Sequence, residues 1–162
     1  MFSQALLELA RAVLVEAREK GLRIATAESC TGGLIAGALT EIPGSSDVFD
    51  RGFVVYSDTA KSGLLDVPAG LIAEQGAVSE AVVRAMAEGA VKNSKAHVAI
   101  AVTGIAGPGG GTNLNPVGLV HIAAARERHA ILHEEHRFGD IGRSEIRLQS
   151  VEAALILLRR LF

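Results

Sequence analysis

The chain has 162 residues, with 16 Lys plus Arg against 18 Asp plus Glu and a formal charge of −2. It is 49% apolar and 21% charged, which is the composition of one globular domain and lacks the basic surplus that holds nucleic acid by phosphate neutralisation. The single cysteine, Cys30, excludes an internal disulfide framework and a multi-cysteine zinc cage, and makes a reducing cytoplasm the expected setting.

In chain order, residues 4–20 predict an amphipathic helix, with Leu6, Leu9, Ala10, Val13 and Ala17 at helical spacing and charges between them. Those charges also break the run of about 20 apolar residues that a membrane span needs, and no signal-peptide pattern is present. Residues 22–28 are short, apolar and β-branched, the pattern of a buried strand. A helix is expected over 29–41, ended by IPGSSD at 42–47, and a second strand over 50–57. DTAKSGLLDV (58–67) predicts a short helix and turn, and PAGLIAEQG (68–76) a further helical turn. Residues 79–94 predict a full helix with Ser79 as N-cap. The clearest strand is AHVAIAVTG (96–104). A glycine loop (104–118) leads to a strand over 117–125, a hairpin around Arg126–Arg128, an exposed-face strand over 129–138 and a closing helix over 142–162. This alternation predicts one α/β domain, a three-layer α/β/α sandwich with a mixed, mostly parallel sheet.

Three stretches can carry chemistry. In TAESCTGGLIAG (26–37), Ser29 stands where a buried strand gives way to a helix. It can be a helix N-cap, or a nucleophile whose oxyanion is held by free N–H groups. Cys30 is a rival nucleophile, because a helix N-terminus lowers a thiol's pKa, or else a packing residue. The loop TGIAGPGGGTNLNPVG (103–118) holds six of the eighteen glycines and follows a buried strand, where open α/β sheets bind ligands. It matches neither a P-loop nor a G-x-G-x-x-G fingerprint. Tyr56, the only tyrosine, ends a strand five residues before Lys61. Lys61 reads first as a surface residue. As a general base it would need burial and neighbouring charge to lower its pKa of about 10.4 by about 3, roughly 4 kcal/mol. The five histidines are scattered, and His133 and His136 fall on opposite faces of a strand, so no metal site is expected.

Taken together, ATAESCTGG (25–33), GSS (44–46), YS-x-x-x-K (56–61), GAVSE (76–80), MAEGA (86–90), TGIAGPGGGT (103–112) and NPVG (115–118) resemble the C-terminal domain of the competence/damage-inducible CinA family. The stand-alone form of that family is the nicotinamide-nucleotide amidase. The resemblance runs over about residues 5–160; one departure is Asn115, where a lysine is common. It implies an α/β/α sandwich that hydrolyses the carboxamide of nicotinamide mononucleotide to nicotinate mononucleotide and ammonia, with no metal or organic cofactor. By resemblance the nucleophile is Ser29, and Tyr56 and Lys61 are its activating partners. Thr103 and, less closely matched, Arg143 belong to the site. The N–H groups around Thr31, Gly32 and Gly33 are the expected oxyanion donors. The loop amides of Gly104, Gly107, Gly109 and Gly110, with Arg143, are the expected phosphate site. Longer family members carry a molybdopterin-binding-like domain whose pyrophosphatase activity is not expected of these residues. A small-molecule substrate, no nucleic acid, no membrane and a homodimer are the expected partnerships. Two rival readings remain: a non-catalytic module that binds a pyridine nucleotide, and an interaction protein of competence or DNA-damage physiology.

Overall fold

In the computed structural model, which describes residues 1–162, the helices are α1 (Gln4–Glu19), α2 (Leu34–Thr40), α3 (Asp58–Leu65), α4 (Ala69–Gln75), α5 (Glu80–Lys92) and α6 (Arg143–Arg159). The strands are β1 (Ile24–Glu28), β2 (Phe49–Val54), β3 (Val98–Gly104), β4 (Leu119–Arg126) and β5 (Leu132–Arg137), and a single 3-10 turn spans Ser45–Asp47. The five strands form one sheet in the order β2-β1-β3-β4-β5. β1 pairs in parallel with β2 and β3, whereas β4 pairs antiparallel with both β3 and β5. Only β4 therefore runs against the other four strands. The mixed, mostly parallel α/β sheet read from the sequence is the one observed.

Side-chain alternation along the strands builds two different cores. One face presents Ile24, Val98, Ile100, Val102, Val120 and Ile122 to α1, α2 and α6. The other presents Ala25, Ala27, Ala99, Ala101, Ala123 and Ala125 to α3, α4 and α5. A floor of methyl groups lets α5 settle close to the sheet. The same crowding appears at Gly89 of α5, where an added Cβ would collide with the Leu65 carbonyl at the end of α3.

The expected helix over 29–41 begins five residues late, at Leu34. Gly32 and Gly33 both adopt positive φ, +58° and +99°, which a right-handed helix does not admit. Residues 29–33 are thus a turn and Gly33 is the N-cap, so Ser29 is not a helix cap. The N-cap expected at Ser79 is present, its side chain accepting from the Val82 N–H. Tyr56 and Ser57 lie beyond β2, and Ser57 caps α3 by accepting from the Ala60 N–H. No helix is long and apolar enough to cross a membrane.

Candidate active site

The period-two alternation of β1 decides where Ser29 points. Ile24 faces α1, α2 and α6, and Glu28 is on the same side, its carboxylate accepting from the Ile35 and Ala36 N–H groups at 2.9 and 3.0 Å. Ala25 and Ala27 face the opposite way, and Ser29 continues that row toward α3. α3 carries Lys61 one turn ahead of Leu65, and both are buried. Lys61 is 1% exposed, one of the largest fully buried side chains of the molecule. The surface lysine that the sequence suggests first is therefore corrected by its position on the inward face of α3.

Lys61 Nζ lies 3.1 Å from Ser29 Oγ and donates to the Val55 carbonyl at 3.1 Å. Both partners are neutral, and neither is a carboxylate. Burial lowers the Lys61 pKa from the ordinary lysine value, against a weaker opposing pull from Asp58 and Cys30. The physical reason is that an ammonium loses its hydration in this position without gaining a counterion. Ser29 itself is buried, with its N–H held by the Val102 carbonyl of β3. A hydroxyl beside an amine that burial drives toward its neutral form has the chemistry that a nucleophile–base pair requires.

The two groups open into a cleft of about 300 Å³ beyond the carboxyl ends of β1 and β3. Its wall includes Ala77, Val78 and the loop from Thr103 to Gly110, with Tyr56 and Arg143 at the rim. Thr103 is buried and its hydroxyl donates to the Ala77 carbonyl at 2.9 Å, tying the segment before α5 to β3. Arg143 donates to the Gly107 carbonyl at 2.7 Å and to the Tyr56 hydroxyl at 3.1 Å, so it straps the rim together. Gly104, Gly107, Gly109 and Gly110 all line the cleft.

Thr31, Gly32 and Gly33 do not line it. The chain turns away after Cys30, and two N–H groups of α2's first turn are already taken by Glu28. The positive end of that helix is therefore directed at a carboxylate of the protein, not into the cleft. The Cys30 N–H, next to Ser29 and at the cleft wall, makes no hydrogen bond to another residue. The Cys30 thiol is pushed up to about 12, chiefly by burial, which is opposite to the activation expected from a helix N-terminus. No three His, Cys, Asp or Glu side chains are placed to hold a metal ion. His133 instead pairs with His121 at 2.9 Å, and His136 with Glu134 at 2.8 Å.

Against known proteins, the model of the CinA C-terminal domain matches residues 6–162. The chain belongs to the CinA C-terminal domain family. It is 56% identical over 117 residues to the CinA-like protein of Akkermansia muciniphila, covering 72% of this chain and 28% of that one. It is 50% identical over 143 residues to the CinA-like protein of Syntrophobacter fumaroxidans, covering 88% and 33%. The chain thus spans about a third of the length of these curated relatives. Among solved structures it superposes on the competence/damage inducible protein CihA of Agrobacterium tumefaciens with a TM-score of 0.97 at 53% identity, covering 99% of this chain and 98% of the other. A CinA superfamily protein of Escherichia coli gives a TM-score of 0.91 at 32% identity, covering 100% and 94%.

Within this CinA domain, two residues that the sequence does not single out hold the turn that carries Ser29. Glu28 anchors one side, as described. Arg147 anchors the other, with Nε donating to the Cys30 carbonyl at 3.0 Å and Nη2 to the Thr31 carbonyl at 3.3 Å. Arg147 lies one helical turn after Arg143, and that i, i+4 spacing was the available signal. For Glu28 the signal was an acid closing an otherwise uncharged, fully buried strand.

Proposed function

We propose that this CinA-family domain hydrolyses the carboxamide of nicotinamide mononucleotide, giving nicotinate mononucleotide and ammonia. The observation that carries the reading is the buried Lys61 Nζ at 3.1 Å from Ser29 Oγ, at the floor of a cleft. A lysine costs several kcal/mol to bury without a counterion, and a neutral amine touching a hydroxyl gives that cost a chemical use.

Neutral Lys61 takes the Ser29 hydroxyl proton as Oγ attacks the carboxamide carbon, which the electron-poor pyridinium ring makes electrophilic. The Cys30 N–H, adjacent to Ser29 in the chain and unused by any other residue, is the donor assigned to the developing oxyanion. Lys61 then gives its proton to the departing nitrogen, the C–N bond breaks, and ammonia leaves an acyl-serine. Water attacks the ester, Lys61 takes a proton from it and returns one to Ser29 Oγ, and the carboxylate product is released. Tyr56 is not needed as the base, because its hydroxyl is engaged by Arg143 and bonds to neither Ser29 nor Lys61. The N–H groups of Gly107, Gly109 and Gly110 have no protein acceptor and, with Arg143, suit the substrate phosphate.

The test is a coupled ammonia assay with the mononucleotide, its riboside and free nicotinamide in parallel. Turnover confined to, or far fastest with, the mononucleotide is the expected result. Stabilisation by the mononucleotide without ammonia release would replace this reading with a binding module.

A further inference from the structure

Tyr56 is the only aromatic side chain lining the cleft. It follows buried Val55 and precedes Ser57, the cap of α3, so its backbone is fixed between two elements. Its far end is fixed as well, because the hydroxyl accepts from Arg143, which also grips the Gly107 carbonyl. A ring held at both ends is nevertheless 62% exposed. None of the other residues of the wall carries an aromatic ring. A tethered, uncovered aromatic at the mouth of a cleft leaves apolar area available to a flat ligand. The tether is made to the hydroxyl, at the edge of the ring.

The geometry points to Tyr56 as the residue that reads the positive charge of the substrate ring: its face covers the pyridinium, and its hydroxyl carries no proton in the reaction. This rests on the amidase reading above. A phenol face attracts a cation through its quadrupole, whereas a neutral ring of the same shape gains only contact area. Asp58 also lines the cleft, as do Lys61 and Arg143, so the wall's formal charges do not by themselves favour a cation. The face of Tyr56 therefore selects the charged pyridinium over a neutral carboxamide of equal size.

The experiment uses the full chain carrying Ser29→Ala, so that ligands bind without turnover. Calorimetry compares nicotinamide mononucleotide with its benzamide analogue, in which carbon replaces the ring nitrogen and the charge is lost. About tenfold tighter binding of the cationic ligand is expected. Adding Tyr56→Leu should bring that ratio near one, and adding Tyr56→Phe should keep it within about threefold. A ratio unchanged by Tyr56→Leu overturns the inference. So does a loss of more than a hundredfold in kcat, with KM unchanged, when Tyr56→Phe is made in the Ser29 enzyme, since that marks a proton carrier. Preferential binding of the mononucleotide with no ammonia release from the parent chain would remove the amidase reading and leave the role of Tyr56 standing. Failure of both ligands to bind overturns both.

Discussion

The sheet has a hollow at each end, and the two differ in what lies at the bottom. The larger, about 730 Å³, sits between the end of α5 and the β4–β5 hairpin. Charged side chains line it, including Lys92, Lys95, Arg126, Glu127 and Arg128. Those with partners use ordinary ones: Lys92 faces Asp66 at 3.7 Å and Arg126 caps the Leu161 carbonyl at 2.7 Å. The smaller hollow, about 300 Å³, has Ser29, Lys61 and Thr103 buried in its wall. Solvated charge at a surface costs little, so it carries little information about function. An amine held out of water without a counterion is costly, and that cost separates the two hollows where volume does not.

The sharpest way to break this contrast is Ser29→Ala. It should keep the fold and lower ammonia release by at least a thousandfold, while Cys30→Ala leaves most of the activity. The reverse pattern, read in the same assay, would move the nucleophile to the thiol. Next, Lys61→Met should lower kcat by about a hundredfold or more. It should also raise the melting temperature, because an apolar side chain of similar shape replaces one that burial penalises. A rise in KM alone would make Lys61 a binding residue.

The pH dependence sharpens the same point. The base must be neutral, so kcat/KM should rise with pH and level off at an apparent pKa below the ordinary lysine value. Stability should follow with the same sign. In the window between the lowered folded pKa and the unfolded value, the unfolded chain binds more protons, so unfolding free energy rises with pH. Below that window both states carry the proton and the full penalty remains. Urea unfolding across the window should show this slope in the parent and not in Lys61→Met.

Smaller effects come from the supports. Arg147→Ala should cost about tenfold in kcat and about 1–2 kcal/mol of stability, since two backbone carbonyls of the nucleophile's turn lose their donors. Arg147→Lys, which can reach only one of them well, should recover part of the rate. The smallest effect belongs to the other hollow. Lys95→Ala and Arg128→Ala should leave the rate unchanged and alter stability by less than about 0.5 kcal/mol. A lost rate there would show that the two ends of the sheet communicate.

Much of this was legible in the sequence for a simple reason. Alternation and helical spacing report burial, and burial sets the strands, α1, α5 and α6. The motif residues likewise located Ser29, Lys61 and the glycine loop. What the sequence hid was direction. The turn at Gly32 and Gly33 depends on two positive φ values, which residue types alone do not reveal, so the sequence predicts a helix from Ser29 with an N-terminus open to an anion. The inward face of α3 was marked by Leu65 alone among large apolar residues, too little to show that Lys61 shares it. The hydroxyl of Tyr56 could be placed only once Arg143, 87 residues away, was seen beside it.

The alanine floor beneath α5 has a mechanical consequence. The segment that feeds this helix is also a wall of the cleft, stitched to β3 through Thr103 and the Ala77 carbonyl. A bulkier residue at Ala99, Ala101 or Ala123 would act as a shim, lifting the helix and dragging that wall with it. The aperture is thus set from underneath, by methyl groups that no substrate ever meets, and a lineage could retune what it admits while leaving every reacting atom in place.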